Sequence, residues 1–218
     1  IPVEIPVITI SNGIDTVHYH KNPNSGNVIR ESLGISPDAL VLGTLAVFRK
    51  QKCLLKWLDV FAALYDGNPN LRGILVGDGP LMRKLQEQAS GLPVHFMGHV
   101  TDRNMLANLL TFADVVVNLG HVETFGLVSL EALASGTPVI VASAGASCEV
   151  IDTTCGVVVD LHPEKIVAAI NQLRQFSRED LRLQCELRAS NFNWTATGER
   201  MVELFASSIG ISKYVDHS

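Results

Sequence analysis

The chain has 218 residues, 47% of them hydrophobic and 18% charged, with 17 Lys and Arg against 22 Asp and Glu. A polypeptide of this length and apolar content buries one substantial core, which excludes general disorder. Its longest apolar stretch, Ala39 to Phe48, falls short of the roughly 18 residues of a membrane-spanning helix. A net charge of −5 leaves no basic footprint for phosphates, so nucleic acid is not an expected partner.

The chain opens at Ile1 inside an apolar, strand-like run and reads as a piece of something longer. Short apolar runs predict strands near Ile5–Ile10, Val41–Phe48, Gly73–Val76, Val94–Met97, Val115–Asn118, Pro138–Val141 and Val157–Asp160. Helical segments fill the gaps. Leu54, Leu55, Leu58, Phe61, Ala62 and Tyr65 follow the spacing of one helix face, as do Leu127, Leu130 and Ala134, and then Ile166, Ala169, Ile170 and Leu173. From Glu164 the pattern turns purely helical, with Arg178–Arg188 and Thr195–Ile209 as the last long elements. Alternating strands and helices predict a doubly wound, Rossmann-like α/β domain with a parallel sheet, followed by a helical C-terminal tail.

Cys53, Cys148, Cys155 and Cys185 form no C-x-x-C pair, and nothing before them resembles a signal peptide. Reduced thiols in a cytoplasmic protein are the expectation, although the short interval between Cys148 and Cys155 leaves a disulfide there open. His18-x-His20 lacks a third ligand and reads as a surface pair rather than a metal site. Gly77-x-Gly79 lacks the third glycine of a dinucleotide fingerprint.

In a doubly wound sheet, ligands sit outside the carboxyl ends of the strands, so the loops that follow them are where chemistry is sought. Arg49-Lys50-Gln51-Lys52 follows the first main strand, Gly77-Asp78-Gly79-Pro80 the second and Gly98–Asp102 the third. Leu119-Gly120-His121-Val122-Glu123-Thr124-Phe125-Gly126 follows the fourth, so cations, glycines and carboxylates meet at one edge. With a helix expected from about Leu127, the backbone N–H groups of Phe125, Gly126 and Leu127 are free donors at a positive helix end, which suits an anion. Gly126 has no side chain to keep a phosphate or sugar away from the main chain. Glu123 lies before that helix and Glu131 one turn inside it, so the two carboxylates reach different parts of one extended ligand. An acid at a helix start also serves as plain dipole complementation, and a basic turn as a solvated surface.

The segment from Glu123 to Val139, with its E-x7-E spacing, resembles the signature of the group 1 glycosyl transferases, family 4 of the retaining glycosyltransferases. Asn12-Gly13-Ile14-Asp15 is similar to the family's hinge into its second domain, and Val76–Pro80, Val94–Gly98 and Glu149-Val150-Ile151 fall where the family places them. The resemblance implies the C-terminal, donor-binding half of a two-domain GT-B fold. Residues 1–22 would be a hinge from an absent N-terminal acceptor domain, 23–177 the nucleotide-sugar-binding domain and 178–218 the C-terminal helices. It implies further that Arg49 and Lys52 hold the diphosphate, with Lys50 a competitor for the second role, and that Glu123 meets the sugar hydroxyls and Glu131 the ribose. Val100 and Leu127 would offer backbone to the base and a phosphate, Gly77 would belong to the same site, and His121 would reach the sugar. Gly120 stands where the family often has a serine.

No cofactor is implied beyond the nucleotide-sugar substrate, and no metal, since the chain contains no D-x-D sequence. The implied chemistry is retaining, metal-independent transfer through an oxocarbenium-like state. The implied partners are the donor and the absent domain, through which the protein would reach the inner face of a membrane. Two rival readings are a nucleotide-sugar epimerase or hydrolase of the same fold, and a non-catalytic nucleotide-sugar-binding module.

Overall fold

The computed structural model describes residues 7–19 and 23–208, with backbone alone at 23–25. After helix α1 (Pro23–Ser32), the chain alternates β1 (Leu40–Leu45), α2 (Leu54–Tyr65), β2 (Leu71–Val76), α3 (Met82–Gln88), β3 (Val94–Gly98), α4 (Arg103–Phe112) and β4 (Val115–Asn118). It continues through α5 (Leu127–Ala134), β5 (Val139–Ala142), β6 (Gly156–Val159), α6 (Pro163–Leu173), α7 (Arg178–Ser190) and α8 (Trp194–Ser208). The six strands form one sheet in the order β3-β2-β1-β4-β5-β6, all pairs parallel. This is the doubly wound arrangement expected.

Side chains alternate across the sheet and build two cores. Val41, Ile74, Val116 and Val139 face α1, α4, α5 and α7 through Ile29, Leu110, Leu133 and Ala189. Leu42, Leu75, Val117 and Ile140 face α2, α3 and α6 through Phe61, Leu85 and Ile170. Helix starts follow local chemistry. Asp102 caps α4 by accepting from the Asn104 N–H at 2.9 Å, and Ser177 caps α7 by accepting from Asp180 at 3.0 Å. Pro163 opens α6, where a missing N–H costs no helix bond.

Two expectations are corrected. Residues 5 and 6 lie outside the described residues, and 7–10 form no strand; Val7 is 91% exposed. No described strand pairs with residues 7–10, and Pro6 lacks an N–H for a ladder. The strand predicted to reach Phe48 leaves the ladder at Leu45. Beyond it, Phe48 N–H donates to Asp78 O at 2.8 Å, and Phe48 O accepts from Leu81 N–H at 3.0 Å. All four cysteines are free thiols. His20 and Ile209 lie outside the described residues.

Candidate functional site

From the central pair, the chain runs outward through β2 and β3 on one side and through β5 and β6 on the other. The carboxyl ends of β1 and β4 are therefore the topological switch point, where open α/β sheets leave a crevice. The Arg49–Lys52 turn and the 119–126 loop border that crevice. Across it, Lys52 Nζ donates to Glu123 Oε2 at 2.6 Å, with the two side chains only 24% and 18% exposed. Gly120 makes room for this pair, since a Cβ there would lie 3.2 Å from Lys52 Cδ. Arg49 and Lys50 are exposed and form no ion pair among the described residues.

The 119–126 loop is fastened at both ends. Asn118, buried at the tip of β4, donates from Nδ2 to Ser129 Oγ at 3.0 Å and accepts from Gly120 N–H at 3.3 Å, tying the strand end to α5. Ala146 N–H donates to Glu123 O at 3.2 Å. Gly126 has φ 89, a left-handed conformation in which glycine carries no Cβ penalty. A Cβ there would meet Ser147 Oγ at 2.7 Å, so the room Gly126 leaves is taken by the segment after β5. The first turn of α5 then presents N–H groups without partners inside the helix, beside exposed Leu127. Phe125 packs edge-on against Phe192 at 6.3 Å, which pins the loop to the α7–α8 junction.

Glu131 sits among partners from two other segments. Tyr19, 3% exposed, hydrogen-bonds its carboxylate, and Arg103 hydrogen-bonds Tyr19 and faces Glu131 electrostatically, as does His18. Burial pushes the Glu131 pKa up, while the Tyr19 hydrogen bond and the Arg103 and His18 charges pull against it. Burial and the neighbouring carboxylate likewise raise the Tyr19 phenol.

The remaining predicted residues fall at the same edge of the sheet with different duties. Gly77 spends its N–H on Gly98 O at 2.8 Å, and at φ 131 a Cβ would lie 1.9 Å from Ala46 O. It is where β2 presses against the end of β1. Val100 is half-buried against the core between β3 and α4. His121 is exposed, donates its N–H to Gln51 O at 3.3 Å and places Nδ1 3.3 Å from Cys53 Sγ.

Sequence reasoning misses Tyr19, Arg103, Asn118, Ser129 and Cys53. For Asn118 a signal existed: a polar residue closing an apolar strand just before a glycine-containing loop. Tyr19 and Arg103 gave none, because they approach Glu131 only through the tertiary fold.

The family model described as glycosyl transferases group 1 matches residues 36–175. The chain is 32% identical over 195 residues to the GDP-mannose-dependent alpha-(1-6)-phosphatidylinositol dimannoside mannosyltransferase of Mycobacterium tuberculosis, covering 89% of this chain and 51% of that protein. Among solved structures, HepE of Anabaena in complex with UDP and glucose superposes with a TM-score of 0.78 at 23% identity, over 91% of this chain and 56% of that one. The C-terminal domain of the group 1 family protein LpcC of Francisella tularensis superposes with a TM-score of 0.72 at 22% identity, over 82% of this chain and 97% of that domain. The chain thus spans about half the length of the curated relatives it matches. With the family signature on the loops of a GT-B-type sheet, this chain belongs to the group 1 glycosyl transferases.

Proposed function

We propose that the chain is the donor-binding half of a retaining glycosyltransferase, which takes a nucleoside-diphosphate sugar at the switch point and passes the sugar to an acceptor held by a further domain. One observation carries the reading: the loops after β1 and β4 bring Lys52 and Glu123 to 2.6 Å, with Arg49, exposed and without an ion pair among the described residues, in the same turn as Lys52. Cations and a carboxylate at one crevice suit a ligand that is anionic at one end and rich in hydroxyls at the other. Arg49, Lys52 and the start of α5 meet the charge that grows on the departing diphosphate, each charge-assisted contact contributing about 1.5–3 kcal/mol. Once a phosphate draws Lys52 away, Glu123 is free to accept from sugar hydroxyls and to face the positive charge of the oxocarbenium-like state. Glu131 accepts from the ribose. Residues 1–22 serve as the hinge to the acceptor domain, through which a membrane-surface acceptor is reached. No helix among the described residues is long and apolar enough to cross a membrane.

The donor named for the mycobacterial relative makes GDP-mannose the first compound to try, and the UDP and glucose of the Anabaena complex make UDP-glucose the second. Calorimetric titration of the chain with each should give saturable binding to one of them. Absence of binding to both refutes the donor site. Joined to its acceptor domain, the enzyme should turn over equally with and without a divalent-metal chelator. Activity lost to the chelator and restored by magnesium or manganese assigns the leaving-group charge to the wrong side chains.

A further inference from the structure

Beside the Lys52–Glu123 pair lies a second contact between the same two loops that the proposed chemistry does not use. Cys53 Sγ is 3.3 Å from His121 Nδ1. The other acceptor near that sulfur, Gln51 O, is farther away at 3.9 Å. Cys53 has φ 52 and ψ 32, the one left-handed non-glycine among the described residues. Glycine would hold that conformation without strain. A side chain is kept where the backbone favours none, and its sulfur reaches a histidine of the candidate site.

Resting on the reading of the switch point as the nucleotide-sugar site, we propose that Cys53 is a positioning residue: its thiol holds the His121 ring by Nδ1, so that Nε2–H is presented as a hydrogen-bond donor to an oxygen of the donor substrate. Three observations support this. Sulfur is a weak acceptor, and burial raises the Cys53 thiol, with Lys56 as the smaller opposing influence, so the sulfur keeps its proton and donates it. With Nδ1 accepting that proton, a neutral imidazole carries its own hydrogen on Nε2. The His121 N–H bond to Gln51 O at 3.3 Å fixes the backbone of the same residue, so ring and main chain are held from one turn. Both possible targets, a phosphate oxygen and a sugar hydroxyl, accept such a donor.

The test joins a spectroscopic readout to a mutant cycle. In the chain labelled with 15N at histidine, the His121 nitrogens at neutral pH should show Nε2 protonated and Nδ1 as acceptor, and Cys53→Gly should shift the Nδ1 resonance without any ligand present. Losing one such contact should weaken binding of GDP-mannose or UDP-glucose about 3- to 10-fold in Cys53→Gly and in His121→Phe alike. The double variant should bind no more weakly than His121→Phe, since the thiol acts only through the ring. Cys53→Gly should melt no lower than wild type, which separates positioning from support of the fold. An equal loss with the nucleoside diphosphate alone points to a phosphate oxygen, and a loss confined to the nucleotide sugar to a hydroxyl; either supports the proposal. An unmoved His121 nitrogen, wild-type affinity in Cys53→Gly, or losses that multiply in the double variant overturn it. Failure of the wild-type chain to bind either nucleotide sugar overturns the donor reading and this proposal together.

Discussion

At the scale of single residues, the two carboxylates of the E-x7-E segment live in different surroundings, and their substitution should have different effects. Glu123 is held by the Lys52 cation; in the proposed role, where a diphosphate competes for that cation, Glu123→Gln should chiefly lower kcat in the intact enzyme, because its interaction would strengthen as positive charge develops on the sugar. Glu131 is half-buried and hydrogen-bonded by Tyr19; in the proposed role its contact with a ribose would be equal in ground and transition states, so Glu131→Ala should raise KM. With Arg49 in its proposed role at the departing diphosphate, Arg49→Ala should lower kcat by about 10²-fold, the usual effect of removing one transition-state donor. Steady-state kinetics on the three variants check this; equal changes in kcat and KM for both carboxylates contradict the division. The positions of Glu123, Lys52 and Arg49 at one crevice were legible because strand–loop spacing and charge are written locally. The direct Lys52–Glu123 bond was not, since it joins residues 71 apart in the chain and depends on β1 lying beside β4.

At the scale of elements, the hydrophobic runs located all six strands of the sheet to within a few residues, because buried parallel strands read as continuous apolar stretches. The strand predicted at Ile5–Ile10, whose described part, residues 7–10, is not a strand, has the same composition, and composition does not reveal whether a partner strand is present. Helices α1 and α3 carry weak signals: α1 contains Pro, Gly and two Asn within ten residues, and α3 is only seven residues long. Asp102 reads from sequence as part of a glycine-containing loop, yet it caps α4. The junction of β1 and β2 yields a prediction at this scale. Gly77→Ala drives a methyl to 1.9 Å from Ala46 O and should destabilise by more than the roughly 1–3 kcal/mol of backbone strain alone. Gly91 also has positive φ but has nothing within 4 Å, so Gly91→Ala should lose only that strain. Denaturant midpoints of the two variants, compared with wild type, read the difference; equal losses would show that the β1–β2 junction yields to the methyl.

At the scale of the molecule, the edge of the sheet opposite the candidate site is held by one carboxylate. Asp114 precedes β4, receives Arg30 at 3.2 Å, Arg178 at 2.8 Å and the Val41 N–H at 2.8 Å, and so joins α1, β1 and α7. Its side chain is 10% exposed and that of Arg30 8%, whereas Arg178 is 65% exposed and its attraction is screened. Asp114→Ala leaves the Arg30 charge buried without its partner and should destabilise the chain by about 3–5 kcal/mol. Burial raises the Asp114 pKa, against the pull of Arg178, the Val41 N–H and Arg30. The folded state therefore binds this proton more tightly than the unfolded chain does. By linkage, the stability this group contributes is present below its unfolded pKa, near 4, and declines as pH rises through the folded value. Thermal melts of wild type and Asp114→Asn across that range should show the decline in wild type alone; a decline in both assigns it to another group.

The strand order also sets a schedule for synthesis. Among the described strands of this sheet, β1 is the first to leave the ribosome, and it lies at the centre of the finished sheet, with β2 on one side and β4 on the other. β2 and β3 follow directly, so one half-sheet is available while the flank of β1 that receives β4 is still open. That flank is an unpaired row of backbone donors and acceptors between Val41 and Leu45, the kind of edge on which nascent chains associate. It closes when residues 115–118 arrive. The interval between Gly98 and Val115 is thus the stretch of translation during which this sheet is most exposed to the wrong partner, and α4, which the same interval encodes, packs beside α1 as the gap closes.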